Sequence, residues 1–302
     1  MRIVSLLPSA TEILFDLGLG DAVVGVTFEC DFPPEAKLKR IVSTSALPEG
    51  LTPAEIDTVV KERMAAGEDL YRLDRNAFAD IDPELVVTQD LCAVCAVDVS
   101  KVDDAIAYLG CSADVLTLDP MTLDEVISSI TSAGAATGRT EQAEQIVADL
   151  RARLAVVAHQ VRGARPRSTL MLEWTDPAFT AGHWVPDMVV AAGGTSVLGW
   201  PGRNSEGVEW DAIRASDAEV VIVSPCGYRL DGAAELGCEV IARGQVSDAA
   251  EVWAIDADAV VVRPGPRVVE GVEVIASILH TELCGPPDPA RARLLRGSVA
   301  AS

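Results

Sequence analysis

The chain has 302 residues, of which 49% are hydrophobic and 23% are charged, a composition typical of a globular protein with room for two domains. Its formal net charge is −22, from 46 acidic and 24 basic residues. Nucleic acids and anionic membrane surfaces are therefore poor partners, because both carry negative charge. No apolar run is long enough to span a bilayer, so we expect no membrane insertion.

The start of the chain and its cysteine count bear on the cellular compartment. A strand pattern begins at Arg2, and no signal peptide is recognisable before it. The seven cysteines are an odd number, which argues against a disulfide framework. The sequence as written predicts a cytoplasmic protein, or an extracytoplasmic one if a leader was removed, and we expect a monomer.

The first block of the chain, residues 1–120, alternates apolar strands with helical segments. The predicted strands are Ile3–Leu7, Val23–Thr27, a short Ile41-Val42, Leu85–Thr88 and Val115–Leu118. The predicted helices are Ala10–Leu17, Pro53–Ala66 and Ser100–Leu109. Strands that are almost wholly apolar indicate a parallel sheet covered by helices on both faces.

Residues 121–165 predict two consecutive helices. Thr122 and Glu125 form a capping box that opens a helix ending near Gly138. Thr140–Val161 then shows apolar residues at helical spacing, with Thr140 as the expected N-cap. The apolar positions are Ala143, Ile146, Val147, Leu150, Leu154, Val157 and Val161. A helix of this length measures roughly 33 Å, and we expect it to join two lobes.

The second block, residues 166–285, repeats the alternation of strands and helices. The predicted strands are Thr169–Leu172, Thr195–Leu198, Val220–Val223 and Val252–Ile255. The predicted helices are Pro186–Ala192, Trp210–Ala215, Ala233–Ala242 and Val268–His280. Residues 286–302 are interpreted as a surface or frayed tail. The fold class is therefore α/β, with two lobes of mainly parallel sheets flanked by helices and joined by one long interdomain helix.

Uncommon residues cluster after the predicted strands. In open parallel sheets, ligands bind beyond the carboxyl ends of the strands, and no dinucleotide, P-loop or hydrolase motif offers another site. We therefore predict that these residues line one groove between the lobes. They are Ser9, Glu29, Cys30, Phe32, Gln89, Cys92, Cys95, Glu173, Trp174, His183, Trp184, Cys226, Tyr228 and Arg263.

Four of these residues are cysteines, and they raise the possibility of a metal site. Cys92 and Cys95 form a CxxC pair, to which Cys30, Cys226 and His183 could add ligands. Soft thiolate and imidazole ligands suit a transition metal or the metal centre of a chelate. The alternative is that the cysteines are small buried residues with no ligand.

The aromatic and charged residues in the set suggest how a ligand could be held. Trp174, Trp184 and Phe32 could stack on a flat conjugated ligand, or they could simply pack within the lobes. Gln89, Glu29, Glu173 and Arg263 would be polar anchors. The two glutamates would be costly to bury without a partner, so each should bind the ligand or pair with Arg263 or Arg267.

Several stretches in order along the chain resemble a known family. They are RIVSLLPSATEILFDLGLGDAVVGVT at 2–27, DPELVVTQ at 82–89, the interlobe helix, AAGGTSVL at 191–198 and RPGPRVVEGVEVIASIL at 263–279. The chain resembles the helical-backbone substrate-binding proteins of ABC importers, in the cobalamin and iron-siderophore group. ECDFP at 29–33 and QDLCAVC at 89–95 resemble a leaderless, cysteine-bearing branch of it. The resemblance implies two lobes that clamp a ligand, an ABC permease as a possible partner, and no catalytic residues.

Two functions follow as hypotheses. The first is a non-catalytic protein that holds a small molecule, namely a cobalamin-like corrinoid or another metal chelate, in the interlobe cleft. The alternative is an intracellular thiol-dependent metal-binding protein or enzyme that uses Cys30, Cys92, Cys95 and Cys226 in that cleft.

Overall fold

A computed structural model of the chain describes residues 1–68, 70–74, 80–89 and 113–297. The chain forms two compact units: residues 1–120 with 127–147 make up the first, and residues 121–126 with 148–302 make up the second. The predicted helix Ser100–Leu109 and the cysteines Cys92 and Cys95 lie outside the described residues. Over the described ranges, no helix combines the length and apolar character needed to cross a membrane.

A mixed sheet of six strands forms the centre of the first unit. The strands are β1 (Ile3–Ser5), β2 (Val23–Thr27), β3 (Arg40–Ser45), β4 (Tyr71–Leu73), β5 (Leu85–Thr88) and β6 (Asp114–Thr117). They lie in the order β4-β3-β2-β1-β5-β6, and all neighbours are parallel except β3 and β4. Ser5 pairs with both Val26 and Val87, so the carboxyl ends of β2, β1 and β5 meet at one edge.

Two helices and a 3-10 turn belong wholly to the first unit. Helix α1 spans Pro8–Asp16, a 3-10 turn spans Pro34–Leu38, and α2 spans Pro53–Ala65. Proline suits the first turn of each because its missing N–H is not needed there. The strands β1 and β5 are almost fully buried, as expected of a sheet covered on both faces.

The two helices predicted in the middle of the chain are present as α3 (Leu123–Thr137) and α4 (Thr140–Gln160). The capping box of α3 is confirmed: Glu125 N donates to Thr122 Oγ1 at 3.3 Å, and Thr122 N donates to Glu125 Oε2 at 3.1 Å. Helix α4 begins in the first unit and continues in the second.

The apolar stripe of α4 is also confirmed, since Ala143, Val147, Leu150 and Val157 are buried. Thr140 is not the N-cap, however. It is already the first helical residue, and Ala143 N donates to the carbonyl of Arg139 at 3.0 Å, so Arg139 occupies the cap position.

The second unit is built on a sheet of seven strands. They are β7 (Arg167–Thr175), β8 (Ala178–Thr180), β9 (Gly194–Ser196), β10 (Glu206–Gly207), β11 (Val220–Val223), β12 (Glu251–Ile255) and β13 (Ala292–Arg296). Their order is β10-β8-β7-β11-β12-β13, with β9 paired to β7. β7, β11 and β12 are parallel, whereas β8, β10 and β13 are antiparallel to their neighbours.

Helices flank the strands of the second unit. They are α5 (Val185–Ala191), α6 (Trp210–Ala215), α7 (Leu230–Ala242), α8 (Ala257–Val260), α9 (Val268–Leu279) and α10 (Thr281–Cys284). The core contains Leu170, Leu172, Val221 and Val252, each at most 1% exposed. The predicted α/β class with helix-flanked sheets is confirmed.

The end of the chain is not the frayed tail that was one of the two predicted forms. Residues 292–296 form β13 and pair with β12 instead of fraying. Arginines fix this strand: Arg293 pairs with Asp231 at 2.8 Å, and Arg296 Nε donates to the carbonyl of Ala250 at 3.2 Å. The low apolar content that suggested a tail reflects an edge strand held by charged groups.

Candidate functional site

The predicted site residues of the first unit follow β1, β2 and β5. We call them the first-unit rim: Ser9, Glu29, Cys30, Phe32 and Gln89. Three of them are buried, with Ser9 at 1%, Cys30 at 4% and Gln89 at 4% exposure. Much of the first-unit rim is therefore enclosed and does not line an open groove.

Cys30 takes part in a buried chain of polar side chains. Its Sγ lies 3.0 Å from Thr11 Oγ1, which donates to Ser5 Oγ at 2.8 Å. Ser5 Oγ in turn donates to the carbonyl of Leu7 at 3.0 Å. This arrangement favours the alternative interpretation of Cys30 as a small buried residue, because its thiol is enclosed and has a hydroxyl neighbour.

Ser9 lies in the first turn of α1 and has a different environment. Its hydroxyl is buried, and it has no hydrogen-bond partner among the described residues. The residue before the helix, Leu7, provides no side-chain cap. A buried hydroxyl without a partner costs free energy, so this position is suited to a bound water or ligand group.

The accessible part of the first-unit rim is aromatic. Phe28 and Phe32 are each 38% exposed, and the Phe28 ring lies 6.0 Å from that of Tyr71. Tyr71 Oη donates to Glu29 Oε2 at 3.0 Å. Tyr71 was missed in the sequence because it belongs to β4, a strand of only three residues.

The second-unit rim consists of Glu173, Trp174, His183, Cys226, Tyr228 and Arg263. The structure brings several of these residues together within the second unit. The rings of Trp174 and Tyr228 meet edge to face, with centroids 5.8 Å apart and planes at 67°. Cys226 N donates to the carbonyl of Glu173 at 3.2 Å, which joins the segments that follow β7 and β11.

An ion pair joins the segment after β12 to the same rim. Arg263 NH2 donates to both carboxylate oxygens of Asp258, at 2.8 and 3.0 Å. Asp258 N donates to the carbonyl of Tyr228 at 3.1 Å. Arg263 and Asp258 are 10% and 16% exposed, so the charge of Arg263 is neutralised close to the aromatic pair. Asp258 gave no sequence signal, because it lies inside the short helix α8.

His183 occupies a constrained turn on this rim. Its φ is +50°, which is uncommon for a residue other than glycine. Its N donates to the carbonyl of Arg203, and its own carbonyl accepts from Gly202 N at 3.1 Å. A Cβ at the preceding Gly182 would lie within 2.5 Å of backbone atoms of residues 203–205, so glycine is required there.

The side chains of residues 204 and 205 complete the second-unit rim. Burial lowers the pKa of His183, and a hydrogen bond with Asn204 acts in the opposite direction, so the imidazole is neutral at pH 7. Ser205 Oγ donates to Glu173 Oε2. Both partners were missed because they lie in a loop without a strand or helix pattern.

Trp184 is the one predicted residue of the second unit that packs inside the core. It is 7% exposed, and its Nε1 donates to the carbonyl of Val261 at 2.8 Å. This environment favours packing over a role as a wall against a ligand. On the second-unit rim, burial raises the pKa of Tyr228 further above neutrality, so its hydroxyl can donate a hydrogen bond.

The predicted metal site gains no support from the structure. Among the described residues, no three His, Cys, Asp or Glu side chains are placed to hold a metal ion. Cys30 is buried in the first unit, whereas Cys226 is exposed in the second. The CxxC pair, Cys92 and Cys95, lies outside the described ranges.

Comparisons with known proteins agree on one kind of protein. A family model described as "Periplasmic binding protein" matches residues 3–242. An uncharacterised ABC transporter substrate-binding lipoprotein of Bacillus subtilis is 27% identical over 296 residues, which cover 93% of this chain and 80% of the relative. A vitamin B12-binding protein of Yersinia pestis is 24% identical over 238 residues, covering 76% and 71%. The structure of a periplasmic heme-binding protein of Pseudomonas aeruginosa has a TM-score of 0.71, 16% identity and 99% coverage of both chains.

Proposed function

The chain belongs to the periplasmic binding protein family, and we propose that its ligand is a cobalamin-like corrinoid. In this proposal the chain is the substrate-binding protein of an ABC importer. Membership of this family makes it a binding protein and not an enzyme. The family leaves the ligand open, since the relatives and structural neighbours include proteins named for vitamin B12 and for heme. The choice between these ligands therefore rests on the rims.

The observation that carries the proposal is the aromatic pair of the second-unit rim. Trp174 and Tyr228 lie at the carboxyl ends of β7 and β11, beside Glu173. Both rings are only partly buried, so a flat macrocycle could pack against them. Phe32 and Phe28 offer the first unit a comparable apolar surface.

Charge favours a corrinoid over heme. A corrin ring is bordered by carboxamide side chains, which donate hydrogen bonds, whereas heme carries two carboxylates. Glu29 and Glu173 are acceptors at the two rims, and Arg263 is already neutralised by Asp258. The net charge of −22 also opposes a dianionic ligand.

We assign roles on each unit separately. Trp174, Tyr228 and Phe32 would provide apolar contacts, and Glu29 and Glu173 would accept amide hydrogens. Ser9, with its buried unpaired hydroxyl, would bind a ligand carbonyl. The neutral imidazole of His183 is the candidate for the metal side of the ligand. The groove predicted between the units stays a prediction.

The alternative of a thiol-dependent metal protein has no support. It required Cys30 and Cys226 as metal ligands, but Cys30 is buried beside Thr11. Within the described ranges, Cys226 does not belong to a group of three residues that could hold a metal ion. Neither the family nor the relatives point to an enzyme.

The relatives also change the expected location. The Bacillus subtilis relative is named a lipoprotein, and the Pseudomonas aeruginosa structural neighbour is named periplasmic. We therefore propose an extracytoplasmic protein that delivers its ligand to an ABC permease. The cytoplasmic location predicted from the sequence has no support from these proteins. Fractionation of cells that express the native gene would test this point, and recovery in the cytosol would contradict it.

Titration calorimetry with cyanocobalamin, cobinamide and ferric heme tests the ligand. We expect saturable binding of the corrinoids and weaker binding of heme. If neither cyanocobalamin nor cobinamide shows saturable binding, the proposal is refuted. Tighter binding of heme than of both corrinoids would refute the ligand class while leaving the binding role intact.

A variant pair links binding to the rim. Trp174→Leu should weaken corrinoid binding by about fivefold or more, because an aromatic contact contributes about 1 kcal/mol beyond its buried area. Trp253→Leu is the matched control, since Trp253 lies within β12 and its Nε1 donates to Glu251. Equal affinity losses in both variants would indicate a general loss of structure and would contradict the assignment of Trp174.

A further inference from the structure

The second unit contains a cavity at the end of its sheet opposite the second-unit rim. Its volume is about 360 Å³, within the range of small-molecule sites. It is lined by Arg167, Glu251 and residues 278–283, which lie at the starts of β7 and β12, at the end of α9 and in α10. Arg167 and Glu173 are six residues apart on β7, which puts the cavity roughly 20 Å from the rim.

Arg167 gives the cavity its hydrogen-bond donors. Its NH2 donates to Glu251 Oε2 at 2.7 Å, and the described residues offer its other N–H groups no acceptor. Both carboxylate oxygens of Glu251 are engaged, since its Oε1 also accepts from Trp253 Nε1 at 2.6 Å. The Arg167 side chain is only 21% exposed. A guanidinium with spare donors in such an environment is suited to a carboxylate.

The opposite wall of the cavity offers acceptors. The last turn of a helix leaves carbonyl groups without intrahelical partners, and Ile278 and Leu279 are the last two residues of α9. Glu282, on α10, makes no ion pair within the described ranges. Helix C-termini and carboxylates both favour a cation, so this wall is suited to an ammonium group.

An apolar surface lies between the donors and the acceptors. Leu283 is 50% exposed on α10 and lines the cavity with Ile278 and Leu279. His280 is engaged elsewhere, because its Nε2 donates to the carbonyl of Gly193 at 3.0 Å. The cavity thus combines a donor wall, an acceptor wall and an aliphatic surface.

We propose that this cavity is a second ligand site, separate from the rims, which binds a small zwitterion with an aliphatic body. The carboxylate of the ligand binds the free N–H groups of Arg167. Its ammonium group binds Glu282 and the carbonyls that end α9, and its aliphatic part packs on Leu279 and Leu283. This is the chemistry of an aliphatic α-amino acid, and it is independent of the corrinoid assignment.

Calorimetry with L-leucine on the whole chain tests the site. We expect saturable binding, and at least about tenfold weaker binding of L-leucine methyl ester, 4-methylpentanoate and 3-methylbutylamine, each of which lacks one charge. No saturable binding of leucine would overturn the proposal. Binding of any of these singly charged analogues as tightly as leucine would overturn the zwitterion assignment.

Variants locate the binding. Arg167→Met combined with Glu251→Gln removes both charges of the ion pair, so no buried charge is left alone, and the amide oxygen introduced at position 251 can still accept from Trp253 Nε1. We expect this double variant to lose leucine affinity at least about tenfold with an intact near-UV spectrum. Arg165→Gln is the matched control, because Arg165 is 72% exposed and pairs with Glu219 outside the cavity.

Two outcomes would contradict the location. If the double variant binds leucine as the wild type does, Arg167 is not the anchor. If saturating cyanocobalamin abolishes leucine binding, the amino acid occupies the rim and not this cavity. Unchanged leucine affinity in the presence of the corrinoid is the expected result.

Discussion

The carboxyl edges of the two sheets carry similar polar residues but use them differently. In the first unit, Ser5, Thr11 and Cys30 satisfy one another in the interior. In the second unit, Trp174 and Tyr228 remain partly exposed beside Glu173. A polar or sulfur-bearing residue after a parallel strand is therefore compatible with both packing and ligand binding, and burial distinguishes the two.

The difference has a structural cause in the strands themselves. β11 pairs with β7 only as far as Leu172. β7 then continues to Thr175 and pairs there with β8, where Trp174 faces Phe179 across the ladder. Glu173 and Trp174 thus extend beyond the parallel part of the sheet. In the first unit β1 ends at Ser5 and α1 begins at Pro8, so its first turn covers the edge at once.

The largest expected effect concerns Trp184, which we assign to packing and not to the rim. Trp184→Ala should lower the free energy of unfolding by about 3–5 kcal/mol, because it leaves a cavity and an unpaired carbonyl at Val261. Urea denaturation measures this loss, and Trp184→Phe should lose less. A loss below about 1 kcal/mol together with weaker corrinoid binding would instead place Trp184 on the rim.

The next prediction compares the two described rim thiols. Cys226 is exposed and Cys30 is 4% exposed, so Cys226 should react with a thiol reagent at least about 100-fold faster in the native protein. Mass spectrometry of labelled peptides distinguishes the cysteines. In urea above the unfolding transition, the two rates should converge. Similar native rates would show that the two rims are equally accessible.

Thr11→Val tests whether the buried polar chain stabilises the first unit. We expect a loss of about 1–3 kcal/mol, because Ser5 and Cys30 would lose their hydroxyl neighbour. Thr58→Val is the matched control on α2, where the hydroxyl donates to the carbonyl of Ala54 at an exposed position, and it should change stability by less than about 0.5 kcal/mol. Equal effects in denaturation experiments would contradict the comparison.

The smallest effect is the pH dependence that His183 confers on the second-unit rim. Burial lowers the pKa of His183 in the folded protein. Near and below pH 6.5, about the pKa of histidine in an unfolded chain, the unfolded protein therefore binds the proton more readily than the folded one. Stability should therefore fall as the pH decreases from 7 to 5. His183→Asn should remove part of this slope in the melting temperature, and asparagine tolerates the positive φ. An unchanged slope would contradict the buried, neutral state.

The apolar parallel strands and most helices could be predicted from the sequence alone. Strands Leu85–Thr88 and Val220–Val223 and helix Trp210–Ala215 have the predicted bounds. The antiparallel strands β4, β8, β10 and β13 were missed. They lack the continuous buried apolar run of the parallel strands, and the partner strand determines whether they form.

The candidate site, like the fold, could be predicted from the sequence only in part. The residue types and their places after the strands were evident from the sequence, and the second unit does bring Glu173, Trp174, Cys226 and Tyr228 together. Their partners Ser205, Asn204 and Asp258, and Tyr71 in the first unit, had no signal. Each lies far along the chain from the residue it contacts or inside an unpatterned segment.

The sequence by itself determined the α/β class, the long helix α4 and the rim from which function was argued, because periodicity and strand order are local properties of the chain. Only the tertiary structure decided which rim side chains are accessible. Cys30 and Trp184 are interior residues, whereas Trp174 is partly exposed. Burial depends on what distant segments place over a residue, and no pattern within the local sequence records that.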